Sequence, residues 1–340
     1  MTRTTSSPFV TQLLVACAAF VIVVAGIKSA ASILIPFLLA VFIAILSAPV
    51  MRALVIRRVP TILAVLLLLL LLILIGTGLV TVVGRTLNAF YLDMPRYEQQ
   101  LQVLLVQIIT RLESFGITVA QEMLTEYINP NAVIKMVASV FTGLGNVLTN
   151  TFLILFTVVF ILLEASGFPA KIKRAFGEET HAFHHFSRFS RSVQQYLAMK
   201  TLMSAGTGLT VGLLLAWIGV DYAALWGLIA FLLNYIPNIG SIIAAVPAVL
   251  IALIQLGFGG ALLTTGVFVL VNTLFGNIIE PRLMGRSLGL STLVVFLSLV
   301  FWGWVLGPVG MLLSIPLTMV VKIALETAPN TRWVATLLDH

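Results

Sequence analysis

Glu280 ends an apolar stretch and is the clearest candidate for chemistry in the sequence. Thr273 and Asn277 precede it by seven and three residues, so a helix would place the three side chains on one face. Pro281 follows directly, and proline disfavours α-helical geometry at the residue before it. The pattern therefore predicts that the Glu280 carboxylate stands at a helix end.

The charge state of Glu280 depends on its neighbours. Arg282 and Arg286 are four residues apart and could align on a helix as ion-pair partners, which would keep Glu280 ionised. Burial among apolar groups would instead favour the neutral acid and let it take up a proton. The sequence leaves both states open. Glu280 is predicted to be either a coupling or substrate-contact acid or a member of a structural ion pair.

Further polar and helix-breaking residues lie inside apolar sequence, where lipid cannot satisfy polar groups. With Glu280, Arg282 and Arg286, the candidates for a substrate or ion path are Asn234, Pro237, Asn238, Gly240, Ser241, Asn272, Asn277, Pro308 and Gly310. Paired interrupted segments are typical of transporter binding sites. The alternative is that proline and glycine only kink packed helices, with asparagine cross-linking them. Because two separate stretches carry a break, the sequence favours a binding site.

The other candidates for chemistry are weaker. Glu178, His181, His184 and His185 have a spacing with which a helix could hold a metal ion, but no general-base motif accompanies them. A solvated amphipathic face explains them equally well, and no bound metal is predicted. A phosphate-binding glycine loop of Walker type is missing from the sequence, so ATP is not expected as the direct energy source. The sequence shows no catalytic constellation, and we expect no enzymatic activity and no cofactor.

Composition assigns the chain to the membrane. Of its 340 residues, 60% are hydrophobic and 9% are charged, whereas soluble domains carry about 25% charged residues. The net charge of +7 comes from basic residues that flank apolar segments. This pattern fits loops beside an anionic lipid leaflet better than a nucleic-acid partner. The single Cys17 excludes an intrachain disulfide.

Apolar stretches of spanning length predict an all-α polytopic membrane protein with about eight spans. The first five predicted spans are Val10–Ile27, Ala30–Val50, Thr61–Val83, Val147–Leu163 and Thr201–Ile218. Three more stretches follow: Tyr222–Leu256, Ala261–Ile279 and Ser291–Ala324. The first and third of these carry the breaks, and each either crosses once or forms a re-entrant hairpin. An alignment of Pro237 and Gly240 with Pro308 and Gly310 suggests an internal repeat, but it needs gaps.

Charge and periodicity divide the chain into six predicted parts. They are membrane spans (1–84), an amphipathic extracytoplasmic helical insert (85–146), the fourth span (147–163), a cytoplasmic basic amphipathic segment (164–200), a carboxyl-terminal membrane core (201–324) and a cytoplasmic tail (325–340). Basic residues concentrate in the loops that precede the third and fifth spans, whereas acids outnumber them in the insert. The positive-inside rule then places both termini in the cytoplasm.

Three segments of the carboxyl-terminal half resemble the hallmark segments of the autoinducer-2 exporter family: Leu232–Gly240, Gly276–Gly285 and Gly289–Gly310. Shorter likenesses, Ile35-Pro36-Phe37 and Tyr127–Asn131, extend the resemblance nearly from end to end. The resemblance implies a bacterial inner-membrane transporter that forms homo-oligomers and has its soluble insert outside. Some members are described as exporters of the furanone-type signal autoinducer-2, and others look like sodium/proton antiporters.

The sequence therefore predicts export of a small polar solute, autoinducer-2 or a similar molecule, with possible proton or sodium coupling. A cation/proton antiporter of the same fold is the first alternative. The second is a membrane scaffold without transport that binds partners through the insert and the basic segment. A scaffold would not need two broken helices with buried asparagine and glutamate, whereas an antiporter would need a titratable acid in the membrane.

Overall fold

The computed structural model describes residues 8–115, 151–165, 181–237, 239–284, 290–327 and 331–338. These residues contain helices and no strand, which confirms the all-α prediction. The helices are α1 (Pro8–Ser29), α2 (Ala31–Ile56), α3 (Thr61–Ser114), α4 (Thr151–Ala165), α5 (His181–Ile218), α6 (Ala223–Leu233), α7 (Ile239–Asn272), a π-helical segment (Thr273–Ile279), α8 (Glu280–Met284), α9 (Thr292–Leu312), α10 (Ser314–Thr327) and α11 (Arg332–Leu337). Most of the predicted insert lies outside the described residues.

The described helices are those of a multi-pass membrane protein. Five are long and apolar enough to cross a membrane: Ala31–Ile56, Thr61–Arg111, Arg191–Ile218, Ile239–Leu283 and Thr292–Leu312. Large apolar side chains such as Leu66, Leu70 and Leu74 stand exposed along α3. Lipid rather than water is the solvent that such a surface requires.

Helix α3 is much longer than a span. It runs for 54 residues, about 80 Å at 1.5 Å per residue, against about 30 Å of hydrocarbon. The sequence placed a boundary near residue 85, but the helix continues through it and through Pro95 without interruption. The start of the predicted insert is therefore an extension of the third span. Tyr97 and Leu101, four residues apart on this helix, are buried.

The described residues fall into two compact units: a terminal unit (Met1–Ala44 with Leu290–His340) and a central unit (Ile45–Gly289). In the terminal unit, α1 packs on α9 around Val24 and Trp302. Lys28 Nζ lies 4.0 Å from the centre of the Trp304 ring, a cation–π contact.

The central unit contains a helical hairpin made of α6 and the first arm of α7. Helix α6 has 11 residues, about 16 Å, which is half the hydrocarbon thickness. The Asp221 N–H donates to Gln255 Oε1 and Gln255 Nε2 donates to the Gly219 carbonyl, both at 2.9 Å. The two ends of Tyr222–Leu256 are thereby joined beside the end of α5. The stretch is a hairpin that returns to its starting end rather than a single crossing.

Helices α7 and α9 each turn back at a glycine with positive φ. We call the two folded segments around these turns the glycine-turn hairpins, and their matching sequences the glycine-turn repeat. Gly257 has φ 71° and ψ −165°, and Gly307 has φ 68° and ψ −151°. Only glycine adopts this conformation without strain. The sequence around the two turns matches without gaps at an offset of 50 residues, because Leu256–Thr264 reads LGFGGALLT and Leu306–Ser314 reads LGPVGMLLS.

A second glycine brings the arms together after each turn. A Cβ atom on Gly260 would lie 3.2 Å from the carbonyl oxygen of Ala252, and one on Gly310 would lie 2.0 Å from that of Trp302. Each pair is eight residues apart, a separation of about 12 Å in a straight helix. The chain therefore folds back in both places.

This repeat differs from the one that the prolines suggested. The alignment of Pro237 with Pro308 needed gaps, whereas Gly257 and Gly307 correspond without any. The positive φ of a glycine sets the turn, and proline positions do not reveal it. The break near Pro237 shares only the close approach of a glycine, since a Cβ on Gly240 would meet the carbonyl oxygen of Leu233 at 1.8 Å.

Candidate functional site

The central unit holds a buried ion pair between Lys200 of α5 and Glu280, the first residue of α8. Lys200 Nζ lies 2.8 Å from Glu280 Oε1 and 2.9 Å from Oε2, so one ammonium group contacts both carboxylate oxygens. The side chains are 6% and 18% exposed. A charge in such a place is stable only when it is paired, and loss of either partner leaves the other uncompensated.

The backbone before Glu280 explains how the carboxylate reaches Lys200. Residues Thr273–Ile279 form a π-helix, whose wider turn rotates the following residues relative to an α-helix. The Glu280 N–H donates to the Phe275 carbonyl, five residues earlier. Pro281 does not end the helix, because Glu280 keeps right-handed helical angles (φ −55°, ψ −51°) and begins α8. The predicted helix end at Glu280 is therefore wrong, and a change of helix type takes its place.

A second layer of hydrogen bonds joins the α6–α7 turn to the same part of α5. Asn234 Nδ2 donates to Ser204 Oγ at 3.0 Å in a buried contact. The Tyr235 hydroxyl donates to Thr201 Oγ1 at 2.7 Å. Thr201 and Ser204 lie within about one turn of Lys200 on α5. The turn at the tip of the hairpin is thus fixed beside the ion pair.

Glycines on α5 allow its neighbours to come this close. A Cβ on Gly208 would lie 2.6 Å from the Gly227 carbonyl oxygen of α6. A Cβ on Gly206 would lie 2.5 Å from the ring of Phe275 in the π-helical segment. Small residues at a helix crossing let backbones approach in membranes, where lipid offers no hydrophobic driving force.

The structure brings together some of the predicted site residues. Asn234 and Glu280 both contact α5 within the same short stretch, and buried Gly240 shapes the turn. Pro237 and Ser241 are partly buried in and just after that turn. Asn238 and Arg286 lie outside the described residues.

The other predicted residues stand apart from this cluster. Asn277 and Arg282 are exposed, and Asn272 is half-buried beside Gly276, whose Cβ would lie 3.3 Å from its amide oxygen. Pro308 is exposed and Gly310 is buried, and both belong to the terminal unit, where they shape the second glycine turn.

Lys200 is the residue that sequence reasoning missed. The sequence pattern assigns it to the basic residues of the segment before the fifth span and offers Arg282 and Arg286 as partners of Glu280. In the structure Lys200 lies inside α5 and is buried. A usable signal was its spacing, since Tyr196, Lys200 and Ser204 recur every four residues and all three are buried.

A second polar cluster lies where the α5–α6 connection meets α3. The Tyr97 hydroxyl donates to Asp221 Oδ2 at 2.9 Å, and the Tyr222 hydroxyl donates to Asp93 Oδ2 at 2.7 Å. Burial raises the pKa of Tyr222, and its hydrogen bond to Asp93 raises it further, whereas the contact with Tyr97 lowers it. The phenol therefore stays protonated and donates to the carboxylate at neutral pH. We call these four residues the aspartate–tyrosine cluster.

Among the described residues, neither aspartate of this cluster forms an ion pair. The carboxylates are held by tyrosine hydroxyls, and the backbone N–H of Asp221 bonds Gln255. Neutral donors hold a carboxylate more weakly than an ammonium group does. The cluster joins α3, the α5–α6 connection and the first arm of α7.

These features define the class. A multi-pass helical membrane protein with helices broken at glycine and a charge pair buried inside a spanning helix has the architecture of a membrane transporter. The comparisons agree, because the family described as AI-2E family transporter matches residues 14–330. The chain belongs to the AI-2E transporter family.

The curated relatives cover nearly the whole chain. The AI-2 transport protein TqsA of Escherichia coli K12 is 44% identical over 94% of this chain and 93% of its own. A putative transport protein of Haemophilus influenzae is 43% identical over 96% of both chains. The putative transport protein YhhT of Escherichia coli K12 is 37% identical over 96% of this chain and 94% of its own. All three are named as transport proteins, which agrees with the prediction of a transporter rather than an enzyme.

Proposed function

We propose that the protein exports autoinducer-2, or a closely similar small polar solute, across the bacterial inner membrane. The similarity to the AI-2 transport protein TqsA over nearly the whole of both chains supports this substrate. The observation that carries a transport role is the buried Lys200–Glu280 pair, which the hydrogen bonds of the α6–α7 turn surround. A membrane scaffold has no use for such a pair, since a buried ion pair contributes little to stability.

In this proposal the pair and its neighbours form part of the solute path. The ammonium and the carboxylate lie 2.8 Å apart. The ammonium can instead donate to a hydroxyl or carbonyl oxygen of the solute, and the carboxylate can accept from a solute hydroxyl. Asn234 and Tyr235 lie on the hairpin turn and bond Ser204 and Thr201. A change of partner at the ion pair would reach the turn through these two hydrogen bonds. The turn would then move with the occupancy of the site.

A cation/proton antiporter is the second candidate, and the same ion pair favours it. Acidic side chains inside membrane spans serve as proton relays in transporters, and release from Lys200 would leave the Glu280 carboxylate free to bind a proton or a cation. The carboxylate would then carry a proton in exchange for a cation. No coupling ion is needed for the first candidate, so the two functions differ in their response to a pH gradient.

Reconstituted vesicles separate these functions. Purified protein in proteoliposomes is assayed for uptake of labelled autoinducer-2, and separately for sodium-driven proton movement with a pH-sensitive dye. We expect saturable autoinducer-2 transport that the double variant Lys200→Met/Glu280→Leu abolishes at normal protein abundance, because it leaves no uncompensated buried charge. Sodium-driven proton movement without autoinducer-2 transport would assign the antiporter function instead.

The proposed orientation places both termini in the cytoplasm and the extension of α3 outside, in a homo-oligomer. It is tested by single-cysteine labelling in a Cys17→Ala background, since Cys17 is the chain's one thiol. A cysteine at Glu113 should react with an impermeant reagent added to whole cells, and one at Arg57 only after permeabilisation. The opposite pattern reverses the orientation, and cross-linking of purified protein in detergent reports the oligomer.

A further inference from the structure

Two buried hydroxyls occupy equivalent positions in the glycine-turn repeat. Four buried side-chain oxygens have no hydrogen-bond partner in the described part of the chain: Gln100 Oε1, Thr207 Oγ1, Thr264 Oγ1 and Ser314 Oγ. Thr264 is fully buried and Ser314 is 1% exposed. They are separated by the same 50 residues that relate Gly257 to Gly307.

A helical hydroxyl normally bonds a carbonyl of its own helix. Neighbouring residues do so here, since Thr265 Oγ1 donates to the Ala261 carbonyl and Ser298 Oγ to the Val295 carbonyl, both at 2.8 Å. Thr264, inside α7, makes no such bond, and Ser314 Oγ at the start of α10 has no partner at all among the described residues. A buried polar group left unpaired destabilises the fold. Its presence at both equivalent positions therefore indicates a hydrogen-bond partner that is not part of the chain.

The turn geometry gives these hydroxyls a direction. Residues four apart on a helix share a face, so Thr264 lies on the face of Gly260 within α7. Gly260 faces the Ala252 carbonyl oxygen of the preceding arm, so the Thr264 hydroxyl lies about one helical turn along the inner face of its hairpin. Ser314, the first residue of α10, holds the corresponding position four residues after Gly310 in the second repeat. A side chain there is shielded from lipid by the other arm.

We propose that Thr264 and Ser314 are two equivalent hydrogen-bonding points for the transported solute, one in each glycine-turn hairpin. A hydroxyl both donates and accepts, so it suits a neutral solute that carries hydroxyl or carbonyl groups. The inference rests on the proposed transport function and adds specificity residues to it. It does not depend on which hydroxylated solute is carried.

Thiol reactivity tests whether a polar solute reaches these positions. Thr264→Cys and Ser314→Cys are made in the Cys17→Ala background of the full chain and treated with neutral 2-hydroxyethyl methanethiosulfonate. Thr265→Cys is the matched control, because Thr265 is exposed on the same helix and a thiol in lipid does not ionise. We expect both test variants to react about tenfold faster than the control, since only the thiolate reacts.

Protection then identifies the solute. Reaction is repeated with saturating autoinducer-2, D-ribose or glycerol. Slowing by autoinducer-2 supports both the inference and the proposed substrate. Slowing by ribose or glycerol alone supports the inference and overturns autoinducer-2 as the substrate. Reaction no faster than the control, or reaction that none of the three solutes slows, overturns the inference.

Stability gives a separate check that requires no solute. Thr264→Val and Ser314→Ala remove an unpaired hydroxyl, whereas Thr265→Val and Ser298→Ala remove a paired one. We expect the first two to keep or raise the melting temperature of the purified protein and to raise the KM of transport severalfold. A melting temperature that falls as far as in the controls would show a hidden structural partner, such as a buried water, and would overturn the inference.

Discussion

The middle of α5 and its carboxyl-terminal end carry polar clusters of opposite design. Near the middle, at Lys200, a full ion pair is buried, with amide and hydroxyl groups around it. Beyond the end at Ile218, the aspartate–tyrosine cluster holds two carboxylates with neutral phenols. In the first arrangement the charged groups can exchange partners. The second holds α3 against the ends of the α6–α7 hairpin. We infer that the ion pair serves transport and that the aspartate–tyrosine cluster serves structure.

The difference has a physical basis in what each cluster would lose. Removal of one partner of the ion pair leaves an uncompensated buried charge, so the pair responds strongly to any change. Removal of a tyrosine hydroxyl leaves a half-buried carboxylate that water can still reach. A contact whose energy changes strongly suits a part of the protein that moves during transport. A contact that tolerates change suits a part that stays fixed.

Neutralising one charge of the buried pair should give the largest effect. Glu280→Gln or Lys200→Met should destabilise the folded state by up to about 3–5 kcal/mol if the other charge cannot rehydrate, and should abolish transport. Thermal unfolding and vesicle transport are measured together. The pair Lys322–Glu326, at 3.7 Å, supplies the control. Its Glu326 side chain is 40% exposed, so Glu326→Gln should change stability by less than about 1 kcal/mol.

The double variant Lys200→Met/Glu280→Leu sharpens this result. It removes both charges, so stability should return while transport stays lost. If single variants transport normally, the ion pair has no part in the path and the contrast between the two clusters fails.

Overpacking the α6–α7 turn should give the second-largest loss of stability and transport. A Cβ on Gly240 would lie 1.8 Å from the Leu233 carbonyl oxygen, so Gly240→Ala must shift the turn that carries Asn234. We expect a loss of about 1–3 kcal/mol, as for other overpacked sites, together with lost transport. Gly259→Ala is the control, because its Cβ would meet nothing within 4 Å. Equal behaviour of the two variants in thermal melts and transport would show that the turn is loose.

Tyrosine substitutions should have a moderate effect on stability and a small one on transport. Tyr97→Phe and Tyr222→Phe each remove one hydrogen bond to a carboxylate, which is worth about 1–2 kcal/mol. Tyr91, which is exposed, gives a matched Tyr91→Phe control with no expected change. If Tyr97→Phe abolishes transport without lowering stability, the aspartate–tyrosine cluster takes part in the movement that accompanies transport and is not a fixed structural contact.

Alkaline pH should produce the smallest effect. The pKa of Tyr222 is raised in the folded protein by burial, whereas in the unfolded chain it lies at about 10. The stabilisation from the protonated phenol is therefore complete below about pH 10 and declines as the pH rises toward the folded-state pKa. The difference in melting temperature between the wild type and Tyr222→Phe should be constant from pH 7 to 9 and shrink at higher pH. A change already at pH 8 would contradict the assignment.

Part of this architecture was predictable from sequence because membrane solvent imposes simple rules. Long apolar stretches gave the spans, and Asn234 and Glu280 stood out as polar residues in them. The connection near Gly257 was also visible, since the sequence divides its apolar stretches between Leu256 and Ala261. That division coincides with the turn in the structure.

The features that the sequence did not predict depend on contacts or backbone angles that only the three-dimensional structure shows. Lys200 and Glu280 are 80 residues apart, and no local pattern links them. The repeat was aligned on prolines although the turns are set by glycine φ angles. Helix-capping residues do not signal a π-helical segment, so the sequence predicts a helix end at Glu280 where the structure has a change of helix type.

The shortness of α6 has a consequence for how the protein enters the bilayer. A helix of 11 residues reaches only about halfway through the hydrocarbon, so it cannot be released into lipid as a span of its own. It would expose the polar groups of Asn234 and Tyr235 at its tip to lipid. The α6–α7 hairpin must therefore be inserted as one piece after α5 is in place, with the glycines of α5 as its docking surface. The order of the chain, α5 before the hairpin, is also the order in which these pieces can be assembled.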